Sequence, residues 1–233
     1  MAKGSLLYIT LGCAKNEVDT DRMRALLDAA DYQEVDSAQD ADAVIINTCS
    51  FLASATSESI ETTLALAEEV NEGVRATRII MCGCGPSRYG DQLPQELPEV
   101  SAFVRADEED GIVAIVDDVL GVERDMPPFI PNIKRTVEGS VAYVKISDGC
   151  DRFCSFCAIP YIRGRYHSRP ADRIIAEARE LVAGGVKEIV LIGQDTGIWG
   201  KDFKDENDGP ANLAQLLVAL AEALRPLHVW IRV

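Results

Sequence analysis

The sequence predicts an α/β protein with two domains, each built on a parallel sheet. Short apolar runs alternate with helical stretches along almost the whole chain of 233 residues. Such alternation is typical of βαβ units, in which helices cover the faces of a parallel sheet. One long stretch, 123–140 (ERDMPPFIPNIKRTVEGS), contains several prolines and has no periodicity, so it predicts a linker. The chain is therefore expected to divide into residues 1–122, the linker 123–140 and residues 141–233.

The first domain is predicted to be a flavodoxin-like, doubly wound parallel sheet. Its apolar runs are short and continuous, as expected for strands that are buried on both faces. A small number of such strands with helices between them is typical of the doubly wound class. The predicted strands are 6–10, 43–47, 78–82 and 102–104, with a weaker one at 31–37, and the predicted helices are 16–30, 55–70 and 108–120.

Residues 141–233 are predicted to form the first part of a second α/β domain. An eight-stranded barrel needs roughly 250 residues, so three strand–helix units cannot close one. We therefore expect a partial (β/α) barrel, truncated at its C-terminal end, within a longer protein. The predicted strands are 141–147, 187–193 and 228–233, and the predicted helices are 171–185 and 212–224.

Composition and charge limit the class of protein. Apolar residues make up 47% and charged residues 26%, which is ordinary for a globular protein with a sizeable core. No apolar run approaches the roughly 20 residues that span a bilayer, and the N-terminus lacks a signal peptide's apolar region. We expect a cytoplasmic protein with no membrane contact, whose seven cysteines stay reduced. The net charge of −15 falls entirely on residues 1–140, which disfavours nucleic acid as a partner and favours a basic protein.

Three cysteines lie close together in the segment 148–160, DGCDRFCSFCAIP. Cys150, Cys154 and Cys157 have the spacing C-x3-C-x2-C, and they directly follow the predicted strand 141–147. The loop is therefore expected at the carboxyl edge of a parallel sheet, where α/β folds place their active sites. A loop so dense in cysteine predicts a metal site.

A second group of three cysteines is dispersed through the first domain. Cys13, Cys49 and Cys84 each come just after a different predicted strand. Because all strands of a parallel sheet end at the same edge, these cysteines can converge on one point. Glycines precede Cys13 and Cys84, as tight ligand loops require. Cys82 lies inside an apolar strand and is interpreted as a small core residue.

The type of metal site is open between zinc and iron–sulfur. A tetrahedral zinc site would need a fourth ligand, for which His167 is a candidate beside the Cys150 loop. Thiolates also hold the irons of a four-iron cluster, in which three cysteines leave one iron free to bind another group. Zinc sites usually combine paired C-x2-C or H-x3-H spacings, and neither group of cysteines has a clear partner pair, so the iron–sulfur interpretation is favoured.

The spacing C-x3-C-x-aromatic-C, with Phe156 as the aromatic, resembles the signature of radical S-adenosylmethionine (SAM) enzymes. This resemblance implies that Cys150, Cys154 and Cys157 hold a [4Fe-4S] cluster whose open iron binds SAM. It also implies that Phe156 lies near the adenine of SAM. One electron from the cluster would then cleave SAM to a 5′-deoxyadenosyl radical.

The segments around the dispersed cysteines resemble the N-terminal domain of the methylthiotransferase family of radical SAM enzymes. The resemblance implies that Cys13, Cys49 and Cys84 hold an auxiliary [4Fe-4S] cluster that relays sulfur. One SAM would supply the methyl group and a second would supply the radical. The resembling segments are LGCAKNEVDTDRM, INTCSFLASATSESIE and GCGPSRYGDQLPQELPEV.

Two branches of that family differ in their substrate. One modifies an adenosine in tRNA, and the other modifies the β-carbon of an aspartate in the small-subunit ribosomal protein S-twelve. The acidic first domain suits a basic ribosomal protein better than tRNA. The expected function is therefore aspartate methylthiolation, with the tRNA enzyme and a non-catalytic iron–sulfur or zinc-binding module as alternatives. The features that resemble the ribosomal-protein branch are Lys15–Asn16, Val18–Asp19, Phe51, Glu58–Ser59–Ile60, FCAIP with RGRYHSRP, and GQDTGIWGKD.

Such an enzyme would need further partners. A reduced flavodoxin or ferredoxin is the expected electron donor, and a sulfur donor is a further candidate partner. No side-chain general base is needed for abstraction of hydrogen by a radical. Several arginines near the Cys150 loop could steer an acidic substrate or a cofactor carboxylate, or could form a solvated rim paired with local acids: Arg152, Arg163, Arg165, Arg169 and Arg173.

Overall fold

The computed structural model describes residues 2–73, 75–124, 134–203 and 209–233. They fall into two compact units, Met1–Ile133 and Lys134–Val233. Each unit has its own sheet and its own hydrophobic core. Half of the predicted linker 123–140, residues 125–133, lies outside the described residues.

The first unit contains a single parallel sheet. Its strands are β1 (Gly4–Thr10), β2 (Tyr32–Glu34), β3 (Ala43–Thr48), β4 (Arg78–Gly83) and β5 (Ala102–Arg105). They are arranged in the order β2-β1-β3-β4-β5, and every neighbouring pair is parallel. This is the flavodoxin-like strand order, so the predicted fold class is confirmed.

Helices cover both faces of this sheet because its strand residues alternate between two apolar cores. Ile45 of β3 packs with Met23 and Leu27, whereas its neighbour Ile46 packs on the opposite face with Leu66. All six residues of β3 are buried, as expected for the central strand of a doubly wound sheet. The helices are α1 (Ala14–Asp28), α2 (Ala53–Glu72), α3 (Cys84–Tyr89), α4 (Leu93–Glu96) and α5 (Ile112–Leu120).

The helices after β4 differ from the prediction. The segment 84–96 forms the two short helices α3 and α4, separated by a 3-10 turn, where no helix was predicted. Glycine and proline in this segment hide the helical pattern, although Pro94 stands in the first turn of α4, where it removes no hydrogen bond. The helix predicted at 108–120 begins only at Ile112, after a 3-10 turn over Glu109–Gly111.

The second unit also has a parallel sheet, with the order β10-β9-β6. Its strands are β6 (Val141–Lys145), β7 (Ser147–Asp148), β8 (His167–Ser168), β9 (Glu188–Ile192) and β10 (Trp230–Arg232), and its helices are α6 (Ile159–Ile162), α7 (Ala171–Ala183) and α8 (Leu213–Leu224). The three parallel strands with α7 and α8 between them agree with the predicted first part of a barrel. The small antiparallel hairpin of β7 and β8 was not predicted, and it closes the base of the Cys150 loop.

No helix among the described residues is both long enough and apolar enough to cross a membrane.

Candidate functional site

The three dispersed cysteines of the first unit lie at one edge of its sheet. Cys13 precedes α1, Cys49 follows β3, and Cys84 is the first residue of α3 after β4. The strands before them, β1, β3 and β4, are neighbours in the sheet. The topology therefore places the three cysteine segments side by side at the carboxyl edge, as the sequence predicted.

The side chain of Asn16 lies among these cysteines. Its Oδ1 is 3.9 Å from the Sγ of Cys13 and 3.9 Å from the Sγ of Cys84. Cys49 reaches the same place, because a Cβ added to Gly12 would lie 3.2 Å from the Cys49 Sγ and 3.4 Å from Asn16 Nδ2. The three thiols thus gather around the turn Gly12–Asn16.

Two glycines permit this close approach. Gly12 has φ +104°, and an added Cβ would lie 2.6 Å from the Cβ of Cys49. Gly83 has φ +90°, and an added Cβ would overlap Asn47 Oδ1. Any side chain at these positions would fill the space between the cysteine segments, so both glycines are required by sterics as well as by backbone conformation.

Hydrogen bonds hold the segment of Cys49. The Ser59 hydroxyl of α2 donates to the Cys49 carbonyl at 2.9 Å and accepts from the Cys49 N–H at 3.2 Å. One buried serine thereby fixes both backbone polar groups of the cysteine.

Cys82 takes no part in this arrangement. It is fully buried within β4 and packs in the core cluster that includes Ile45 and Ile80. Burial raises the pKa of its thiol well above the ordinary value, and the nearby carboxyl of Glu109 raises it further. A neutral, buried thiol agrees with the core interpretation.

The second group of cysteines lies on a single loop between β7 and α6. Cys154 is exposed, and Cys150 and Cys157 are partly exposed. The N–H of Cys150 donates to the Gly164 carbonyl at 3.1 Å, and the N–H of Cys157 donates to the Cys154 carbonyl at 3.0 Å. The second bond forms a tight turn that brings Cys154 and Cys157 near each other along the loop.

Aromatic residues of this loop are largely exposed. Phe156 is 88% exposed, so its ring leaves room for a flat ligand, and its predicted place beside adenine stays a prediction. Phe153 adopts a left-handed conformation with φ +46° and packs edge-to-face against Tyr161, with Arg165 above its ring.

A buried carboxylate lies at the base of the loop. Burial alone would raise the pKa of Asp148, but Lys145 and Arg163 outweigh it and hold that pKa at about 2. The Lys145 Nζ is 2.8 Å from the carboxylate, and Gln194 Nε2 donates to it at 3.3 Å. Asp148 is therefore an anion that positions polar groups at the carboxyl ends of β6 and β9.

Two buried polar atoms at this edge lack a hydrogen-bond partner among the described residues. They are Ser147 Oγ and Gln194 Oε1. The sequence alone assigned no role to either residue, although Ser147 lies two residues after the end of β6 and Gln194 two residues after the end of β9. Unpartnered buried polar atoms next to a cysteine loop agree with a site that binds a polar ligand.

The arginines around the loop have acidic partners. This agrees with the second of the two interpretations, a rim paired with local acids, rather than with free cations. The ion pairs are Arg152–Asp195, Arg163–Asp148, Arg165–Asp151, Arg169–Glu177 and Arg173–Asp172.

A single metal ion has no preformed site within the described ranges. No three His, Cys, Asp or Glu side chains there are grouped so as to hold one ion. His167, the candidate fourth zinc ligand, lies in β8 opposite Asp148 and is exposed. A four-iron cluster has a different requirement, because each thiolate binds a separate iron and the thiols surround the cluster instead of one atom. Three thiols around an open sheet edge, or on one exposed loop, fit that group.

Both units of the chain match models of known protein families. Residues 5–105 match the model of "Uncharacterized protein family UPF0004", and residues 144–220 match the model of the radical SAM superfamily. Among solved structures, the chain resembles the radical SAM methyltransferase TsrM from Kitasatospora setae, with a TM-score of 0.63 at 11% identity over 97% of this chain and 53% of that one. It also resembles the radical enzyme OxsB, with a TM-score of 0.58 at 12% identity over 95% of this chain and 37% of that one. At such identities the likeness concerns the fold alone.

Curated relatives define a narrower group. The chain is 41% identical over 238 residues to a protein of Heliobacterium modesticaldum and 38% identical over 236 residues to one of Desulfosudis oleivorans. Each is named "Ribosomal protein uS12 methylthiotransferase RimO", and the alignments cover 97% and 96% of this chain. The chain spans about half the length of these relatives, 50% and 51% respectively.

These matches first define two segments of the chain, a UPF0004 region at residues 5–105 and a radical SAM region at residues 144–220. Over both segments together, the chain is similar to the RimO-type methylthiotransferases.

Proposed function

We propose that this chain carries the two cluster-binding domains of an enzyme that adds a methylthio group to an aspartate of ribosomal protein uS12. The observation that carries the proposal is the identity of 38–41% to uS12 methylthiotransferases over nearly the whole chain. The acidic first domain, which contains the entire net charge of −15, supports a basic protein substrate over tRNA.

The proposal assigns each unit a task. Residues 1–122 form the auxiliary domain, 123–140 connect the two domains, and 141–233 form the first part of the radical SAM core. Cys13, Cys49 and Cys84 hold an auxiliary [4Fe-4S] cluster, and Cys150, Cys154 and Cys157 hold the radical SAM cluster. When bound, the two clusters and SAM supply one-electron chemistry and a path for sulfur.

The chain's own residues then bind and orient these groups. Ser147 and Gln194 offer buried polar atoms to SAM at the sheet edge, and exposed Phe156 offers a flat face to its adenine. Arg152 lies on the cysteine loop itself, where its pair with Asp195 links the loop to the end of β9. An electron donor such as flavodoxin or ferredoxin, and a donor of sulfur, complete the system.

The test uses the full-length enzyme, reconstituted anaerobically with iron, sulfide and SAM and incubated separately with uS12 and with tRNA. Mass spectrometry of uS12 is expected to show one methylthio group replacing one hydrogen on an aspartate. A modified tRNA with unmodified uS12 would overturn the proposal in favour of the tRNA branch.

Metal analysis of the same protein separates the enzyme from a simple binding module. About eight irons with matching sulfide per chain are expected for two clusters. Substituting all three cysteines of one group by alanine should halve that content, whichever group is chosen. Zinc without sulfide would contradict the assignment of both sites.

A further inference from the structure

We propose that Asn16 is a positioning residue that holds the three cysteine segments of the first unit in register with one another. It is fully buried, although it lies on the first turn of a helix at the edge of a sheet, where a polar side chain would ordinarily reach solvent. The inference rests on the proposed function only for the identity of the group that the cysteines bind.

The side-chain amide of Asn16 forms hydrogen bonds to two of the three cysteine segments. Its Nδ2 donates to the Leu11 carbonyl at 2.9 Å and to the Thr48 carbonyl at 2.9 Å. Leu11 lies two residues before Cys13, and Thr48 is the residue before Cys49. One NH₂ group thus links the end of β1 to the end of β3.

The third segment is attached through Thr48. The Thr48 hydroxyl donates to the Cys82 carbonyl at 2.7 Å and accepts from the Gly85 N–H at 3.3 Å. These two bonds bracket Cys84, so a shift of Thr48 would be transmitted to the third cysteine. Asn16 therefore fixes two segments itself and supports the third through its partner.

The orientation of the amide follows from its surroundings. Carbonyl oxygens accept but cannot donate, so the NH₂ group of Asn16 must face Leu11 and Thr48. Oδ1 then necessarily faces the other way, toward the thiols of Cys13 and Cys84. The thiols are weak donors, whereas the bonds through Nδ2 are made independently of them, so the segments stay aligned whether the thiols are protonated or bound.

Asn47 supports Asn16 from β3. Its Nδ2 donates to the Asn16 carbonyl at 3.1 Å and to the Thr20 hydroxyl at 3.1 Å. Its Oδ1 lies 3.3 Å from Asn16 Nδ2. The backbone and the side chain of Asn16 are therefore both held, and α1 is locked to the central strand at the point where the cysteines meet.

Thiol labelling of the cluster-free chain tests this role without relying on activity. Cys49 and Cys84 are buried, at 9% and 6% exposure, and should react slowly with iodoacetamide. In Asn16→Ala, loss of the hydrogen bonds to Leu11 and Thr48 should let the cysteine segments open locally, so both thiols should react about tenfold faster. Cys82, at 0% exposure in β4, reports any wider unfolding and should keep its wild-type rate.

Two variants separate positioning from general destabilisation. Asn16→Asp keeps the size of the side chain and an oxygen toward the thiols but removes the donors to Leu11 and Thr48, so it should behave like Asn16→Ala. Tyr32→Phe removes the bond of Tyr32 to Asp117 at the opposite end of the sheet, where β2 begins. That control should lower the melting temperature without raising the labelling rate of Cys84 relative to Cys82. An unchanged ratio of Cys84 to Cys82 labelling in Asn16→Asp would overturn the inference, even if Asn16→Ala fails to fold.

A second measurement distinguishes this inference from the proposed function. In a chain whose Cys150, Cys154 and Cys157 are alanines, iron reports only on the first unit. With Asn16 intact, about four irons are expected, and Asn16→Asp should retain several-fold less. No iron in the parent, together with faster labelling in Asn16→Asp, would refute the auxiliary cluster but support the positioning role. Full iron in Asn16→Asp would refute the positioning role and leave the cluster intact.

Discussion

The front cysteines, Cys13, Cys49 and Cys84, follow three different strands and are 36 and 35 residues apart in sequence. The rear cysteines, Cys150, Cys154 and Cys157, lie within one segment of eight residues, called the rear loop. The front segments meet only because β1, β3 and β4 are adjacent in the sheet, with Asn16 between them. The rear loop has its cysteines together by covalent proximity and needs the fold only to hold its two ends.

The supporting groups differ in the same way. Beneath the front cysteines lie uncharged side chains, principally Asn16, Asn47 and Thr48. Behind the rear loop lie buried ion pairs, in which Glu177 of α7 bridges Arg135 and Arg169. A neutral frame is insensitive to pH, whereas an ionic frame loses its attraction when the carboxylate is protonated.

This difference shows how each site meets its own requirement. A site assembled from distant segments needs directional bonds that fix their register, which amides supply through donors and acceptors at fixed angles. A site on a single loop has its register already and needs its base anchored firmly, which buried charge pairs can do.

The largest effect is expected for Gly149→Ala, at the base of the rear loop. Gly149 has φ +71°, and an added Cβ would lie 2.0 Å from the Arg165 carbonyl oxygen. Backbone cannot move aside as a side chain can, so we expect the second unit to lose about 4 kcal/mol of stability. Both tryptophans, Trp199 and Trp230, lie in this unit, so tryptophan fluorescence during urea unfolding measures its stability alone.

Gly164→Ala is the matched control for that substitution. Gly164 has a similar φ of +73°, but an added Cβ would meet nothing within 4 Å. It should cost only the conformational penalty of about 1–2 kcal/mol. Equal losses in the two variants would show that the loop base can rearrange and that the contact with Arg165 is not essential.

Gly149 also illustrates what the sequence can and cannot predict. The cysteine spacing indicated a loop at the sheet edge, and the alternation of apolar runs indicated two parallel sheets, because both signals are local and periodic. The short hairpin that closes the loop involves only Ser147 and Asp148 against His167 and Ser168. Two-residue strands have no periodicity, so only the three-dimensional structure shows what Gly149 must avoid.

The buried asparagines that support the front cysteines were not predicted, for a related reason. Asn47 stands at the end of an apolar strand, and Asn16 stands near the start of a helix, both ordinary places for a polar residue. Their burial and mutual hydrogen bonds arise from strand adjacency, which a sequence encodes only indirectly. An asparagine at the end of an otherwise apolar strand was the one available signal.

Glu177→Gln is expected to have the second-largest effect. Glu177 lies 2.6 Å from Arg135 and 2.7 Å from Arg169, and Arg135 Nη2 also donates to the Tyr143 carbonyl of β6. Removing the charge takes an ionic partner from both arginines, of which Arg135 is almost fully buried, and should cost about 3 kcal/mol in the second unit. Tryptophan fluorescence during urea unfolding is again the measurement.

The pH dependence of that cost tests its electrostatic origin. Burial would raise the pKa of Glu177, but Arg169 and Arg135 outweigh it and lower that pKa below the ordinary 4.5. A lowered folded-state pKa contributes stability that is complete above pH 4.5 and is lost as pH falls through the folded value. The difference between wild type and Glu177→Gln should therefore be largest near neutral pH and should shrink below about pH 4. A difference that stays constant down to low pH would indicate packing, not charge, as the cause.

The smallest effect is expected for Gly12→Ala in the front site. Gly12 has φ +104°, and an added Cβ would lie 2.6 Å from the Cβ of Cys49, a side-chain atom that can shift by moving its segment. We expect a loss of about 2 kcal/mol in the first unit. Hydrogen exchange should increase in the peptides of Gly12 and Cys49, and tryptophan fluorescence of the second unit should not change.

Gly121→Ala is the control for this last substitution, because Gly121 has φ +67° at the end of α5 and an added Cβ would meet nothing within 4 Å. It should raise exchange only at its own helix end, whereas Gly12→Ala should also raise exchange near Cys49, 37 residues away in sequence. Faster exchange confined to residues next to Gly12 would mean that the cysteine segments do not support one another. Faster exchange at both Cys49 and Cys84 is the expected result, because shared hydrogen bonds join the three cysteine segments. Such a long-range response has no counterpart in the rear loop, whose cysteines are neighbours in sequence.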